Sequence, residues 1–167
     1  MRHVRPFTAI DFYRSMVKPT VDEYLAETRD IRRGRLAAIV LYHMADYAAL
    51  DGYDGAAMGE RLGALKLELV AACPDFALIC DIADASKHSR LQVRPKAPRQ
   101  ISMAGQVSRP LGLFNAPFGQ GVVNEASWVT VTLDDGTVRP LAGVVRQVLM
   151  MWEAKLFPVG PFQPPEP

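Results

Sequence analysis

The run LAAIVLYHMADYAAL, Leu36 to Leu50, is apolar almost all the way round a helical turn; only aromatic hydroxyls and the pair His43 and Asp46 interrupt it. A helix that is apolar on every side has to be covered on every side. The remainder of the chain must therefore supply a surrounding layer, and its periodicities provide one. From Phe7 to about Thr28, Ile10, Tyr13, Val17, Val21, Tyr24 and Leu25 recur at helical spacing around Pro19, which predicts one kinked helix or two short ones. TRDIRRGR is a basic joint. After DGYDG, a turn with acids and glycines but without the ligand series of a calcium loop, AAMGERLGALKLELVAAC reads as a helix ending before Pro74. Pro74 and Asp75 suit the opening of another, which carries Phe76, Leu78, Ile79 and Ile82 to the core and runs to His88.

Beyond Leu91 the character changes. QVRPKAPRQ is a Pro-rich basic linker, ISMAGQV reads as a strand, and PLGLFNAPFGQG as a long loop. In SWVTVTLDDGTVRPL, β-branched residues alternate up to Asp135-Gly136, a favoured tight-turn pair, which predicts a hairpin. LAGVVRQVLMMWEAKLF returns to helical period, with Val144, Val145, Val148, Leu149, Trp152 and Leu156 on one stripe. The expected fold is α+β, mainly α: a four- to five-helix bundle with a small antiparallel β-hairpin or sheet before the C-terminal helix. Residues 1–157 form one domain (helical 7–90, β-containing 100–140, last helix 141–157), followed by a Pro-rich tail, 158–167.

Charge decides little in sum: 19 Lys and Arg face 18 Asp and Glu. Cys73 and Cys80 lack the spacing of a zinc site or the density of a disulfide scaffold, so they read as buried thiols in a reducing compartment. No eighteen-residue apolar run occurs, so no membrane contact is expected and a cytoplasmic location is.

The polar residues concentrate in DIADASKH. On a helical wheel Asp81, Asp84 and His88 share one arc, a stripe that reads first as a solvated face with Lys87 and His88 against the negative helix end. A second reading joins it to the buried run. His43 and Asp46 need partners there, since an unpaired polar group costs about 1–3 kcal/mol, so His43 is expected to be buried and to face Asp81, Asp84 or His88. That arrangement would be a structural network or, as the alternative, a metal-dependent or hydrolytic site between the second and fourth helices. No Glu-x-x-His pair or nucleophile motif is present, so no metal and no cofactor are expected, and an enzyme is the less favoured reading.

Between Asp84 and Glu125 there is no acid, while Lys87, Arg90, Arg94, Lys96, Arg99 and Arg109 fall in that interval. Lys87, Arg90, Arg94 and Arg99 are the candidate anion-binding residues for a phosphate-bearing partner such as a nucleotide or RNA, with Phe114 and Phe118 as the stacking candidates. A solvated linker is the plainer alternative. Gly55, Gly59 and Gly63, spaced by four, favour tight internal packing, with a dimer seam second.

ADASKH also resembles the helix end of HEPN domains, where Arg, a polar residue, three further residues and His follow one another. Ala83, Asp84 and His88 occupy those places, so the histidine matches and the arginine does not. The similar helical order covers roughly the first ninety residues. In that family the Arg and His of two protomers cleave RNA, so the resemblance without the arginine implies a self-associating binding or pairing module. As a whole the chain is also similar to small bacterial proteins with a helical front, an Asp/Asn-x-x-Lys-His helix end and a β-hairpin before a last helix, which implies a shape and no activity.

Overall fold

A computed structural model describes residues 7–53, 55–92, 98–109 and 128–158. Arg94, Lys96, Phe114, Phe118, the loop PLGLFNAPFGQG and the tail from residue 159 lie outside the described residues. The protein is α+β and mainly α, with a small three-stranded antiparallel sheet.

Thr8 opens the first helix, α1 (Ala9–Phe12), with a reciprocal cap: its hydroxyl accepts from the Asp11 N–H, and the Asp11 carboxylate accepts from the Thr8 N–H. The helix widens into a π turn over Tyr13–Val17 and resumes as α2 (Lys18–Ala26). Pro19 accounts for this. It has no N–H for the Ser15 carbonyl, and the wider turn passes the defect without breaking the rod. Asp30 caps α3 (Ile31–Leu50) by accepting from the Arg33 N–H. Helices α4 (Met58–Ala72) and α5 (Asp75–His88) follow, and α6 (Leu141–Leu156) comes last.

Helix α3 lies at the centre, packed against α2, α4, α5 and α6. Leu41, Met44, Phe76, Leu78, Ile79, Val148 and Trp152 are fully or almost fully buried in one core. Gly34 permits the tightest approach. A methyl group there would come within 2.9 Å of Leu141 and 3.1 Å of the Tyr24 ring. At Gly59 or Gly63 it would meet nothing within 4 Å, so these glycines lie on the open side of α4 and do not serve the internal packing expected of them.

The sheet is ordered β1 (Val107–Ser108), β2 (Thr130–Thr132), β3 (Val138–Pro140), with Val107 opposite Val131 and Val131 opposite Arg139. Gly136, at φ 87°, supplies the left-handed position of the hairpin turn. Most of ISMAGQV is not the expected strand. Ala104–Gln106 forms a 3₁₀ turn, because Gln106 folds back: its side-chain oxygen accepts from the Ser102 and Met103 N–H groups, and its amide nitrogen donates to Thr132 and Asp134. Arg35 ties this segment to α3 by donating to the Ala104 and Val107 carbonyls. Arg139 grips Asp75 through both nitrogens, at 2.7 and 3.1 Å, fixing the hairpin to the start of α5. Among the described residues no helix is long and apolar enough to cross a membrane.

Candidate functional site at the end of α5

The apolar residues of α5 fix which way its polar stripe points, and the chain that returns along it decides what that stripe becomes. Asp81 is not on a solvated face; it is 8% exposed. Arg99, expected as an anion-binding residue of a basic linker, and Gln100 beside it lie on top of Asp81. Arg99 Nη1 donates to Asp81 Oδ1 at 2.8 Å and to Asp84 Oδ2 at 3.1 Å, and the Gln100 N–H donates to Asp81 Oδ2 at 2.7 Å. Burial raises the Asp81 carboxyl above its ordinary value, against the opposing pull of the Gln100 N–H and Arg99. A buried carboxylate requires a counter-charge, and Arg99, whose side chain is 10% exposed, is that counter-ion.

One turn further on, the stripe emerges into solvent. Lys87, His88, Ser89 and Arg90 are exposed. Ser89 adopts φ 64°, ψ −49°, and the Arg90 N–H donates to the His88 carbonyl at 2.6 Å. This is the uncommon form of the γ-turn, a strained conformation for a residue with a side chain. The Ala104 N–H donates to the Ser89 carbonyl and helps to hold it. The turn sets His88 and Arg90 on either side of a reversal at the helix end. Lys87, His88 and Arg90 make no ion pair among the described residues.

His43 is exposed, not buried as the surrounding apolar run suggested; its side chain retains 53% of its accessible surface. The reason is that α2, α5 and α6 cover the other sides of α3, while α4 leaves a gap. His43 Nδ1 lies 3.0 Å from Asp46 Oδ2. In the tautomer that places the proton on Nδ1, the ring donates to this carboxylate and leaves Nε2 as an acceptor.

The gap is a groove of about 500 Å³ between α3, α4 and α5, into which His43, Asp46, Lys66, Asp84, Lys87 and His88 converge. A second groove of about 410 Å³ shares Asp84 and His88 with it and adds Arg90 and Arg99. Asp81 lines neither. Sequence reasoning missed Lys66, whose ammonium donates to the Tyr42 hydroxyl at 2.9 Å and lies 4.3 Å from that ring's centre. Nothing local marked it, because a lysine between Leu65 and Leu67 reads simply as the polar side of an amphipathic helix.

The arrangement can take an anion on Lys66, Lys87, His88 and Arg90, or it can use the Asp46–His43 pair as a base. Among the described residues no group of three or more His, Cys, Asp or Glu side chains is placed to hold a metal ion. Cys73 and Cys80 are free and half-buried; burial pushes the Cys80 thiol up to about 12, which makes it a poor nucleophile. Compared with protein-family models, curated proteins and solved structures, the chain matches none.

Proposed function

We propose that this chain is a non-catalytic, cytoplasmic binding protein of HEPN-like helical type, self-associating, whose α5 end takes a phosphate-bearing partner such as a nucleotide or RNA. The observation that carries this reading is the exposed Lys87-His88-Ser89-Arg90 end of α5. Its cationic groups have no carboxylate partner among the described residues, and two adjoining grooves open beside it. Phosphate oxygens would meet Lys87 and Arg90 in charge-assisted hydrogen bonds, with His88 between them and Lys66 across the groove. Arg99 contributes to the field there while remaining on its two aspartates.

The test is titration of fluorescently labelled single-stranded RNA and of ATP at several salt concentrations. Binding should weaken steeply with salt. The Lys87→Ala/Arg90→Ala double variant should bind less tightly, and its salt slope should flatten by about one unit for each phosphate it no longer neutralises. Absence of binding by the wild type at low salt defeats the proposal.

The His43–Asp46 pair favours a second reading, a hydrolase in which Nε2 draws a proton from water in the groove. Turnover of a phosphate ester or anhydride that disappears in His43→Ala, with RNA binding retained, would establish it in place of the first.

A further inference from the structure

Beside the polar groove, and separated from it by Asp46, lies a cavity of about 600 Å³ between the start of α1 and the end of α3. Its size is within the range of small-molecule sites, about 300–1,000 Å³. Its lining is of another kind: Phe7, Tyr47 and Tyr53 supply rings, Asp46 and Asp51 supply carboxylates, and no Lys, Arg or His lines it among the described residues.

Each ring is held in place. Tyr47 stacks on Phe12 at 3.9 Å and 11°, and Phe7 and Tyr47 meet edge-to-face at 5.9 Å and 72°. Tyr53 has the Arg61 guanidinium 4.7 Å from its centre and lies close against Gly55. Asp51 is fixed because its Oδ2 accepts from the Ala9 N–H at 3.1 Å, and Asp46 because its Oδ2 faces His43. Each carboxylate keeps a second oxygen.

Ring faces attract cations, and carboxylates with no cationic side chain among the described lining residues add to that field. A small, strongly hydrated ion gains little from ring faces. A large, weakly hydrated organic cation satisfies rings and carboxylates together. We infer that this cavity is a binding site for an alkylated ammonium group, with Tyr47 and Tyr53 as its walls and Asp46 and Asp51 as its counter-charge. The inference is independent of the phosphate reading, because it uses neither Lys87 nor Arg90.

The experiment is calorimetric titration of the full chain with tetramethylammonium and choline, beside 3,3-dimethyl-1-butanol, the uncharged isostere of choline. Saturable binding of both cations is expected, with the isostere at least tenfold weaker. Tyr53→Leu and Asp51→Asn should each weaken cation binding severalfold while melting temperature and RNA binding are retained; the asparagine oxygen still accepts from Ala9. Equal affinity for the isostere would show a merely apolar cavity, and an unchanged affinity in both variants would place the cation elsewhere. Either result, or no saturable binding, overturns the inference.

Discussion

Gly34 is worth more to this fold than its size suggests, because the α3 backbone there lies against Leu141 and the Tyr24 ring. Alanine is the better helix former by up to about 1 kcal/mol, yet its methyl group would overlap two fully buried side chains. Overpacking outweighs propensity in such a site. Gly34→Ala should therefore destabilise by about 1–3 kcal/mol, seen as a lower urea midpoint at unchanged slope. Asp81 makes a prediction of the opposite kind, in pH. Because its carboxyl is raised by burial, its contribution to stability is fully present below the usual carboxylate range and is lost as pH rises through the raised value. Melts taken from below the usual carboxylate range to above it should show the wild type losing ground to Asp81→Asn as pH increases, on top of a constant offset between the neutral carboxyl and the amide. A difference independent of pH would mean that Asp81 titrates as an exposed aspartate does.

At the scale of elements, the strip Pro98–Arg109 is the piece whose role changed most between sequence and structure. Read alone, Arg99 belongs to a basic linker. In the fold it closes over α5, with Gln100 beside it, and the Gln100 carbonyl also accepts from the Asp134 N–H of the hairpin. Arg99→Ala would leave Asp81 buried without its cation, so a loss of about 3–5 kcal/mol is expected. Hydrogen exchange should then quicken first at Gln100, Ser102 and Ala104. An exposed linker arginine would cost almost nothing, which makes the two roles easy to separate.

The same strip marks how far the sequence could be read. Periodicity was enough for α4 to α6, for the hairpin and for α3 from Leu36 onward, because apolar spacing and turn residues act locally; Ile31–Arg35, read as part of a basic joint, instead opens α3. It was enough, too, to collect Asp84 and His88 on one arc of α5. It could not show that Asp81 would be covered and His43 exposed, since both outcomes depend on what arrives from elsewhere: Arg99 comes from 18 residues downstream of Asp81, and the gap beside α4 leaves His43 open. Nor did it show the π turn, because a helix kinked at Pro19 and one widened before it have the same apolar pattern.

For the molecule as a whole, α6 is the closing piece. Trp152 is fully buried, meets Phe76 edge-on at 6.0 Å, and donates its indole N–H to the Leu41 carbonyl at 3.1 Å. Trp152→Ala should cost about 3–5 kcal/mol, and loss of its emission would leave the exposed Trp128 as the remaining tryptophan. Leu41 and Trp152 are 111 residues apart. On a ribosome adding about 5–20 residues per second, α3 therefore waits roughly 5 to 20 seconds for the helix that covers it. In that interval Leu41, Met44 and Phe76 have no α6 to bury them, and a nascent chain stalled before Leu141 would present part of this core to the chaperones and neighbouring chains around it.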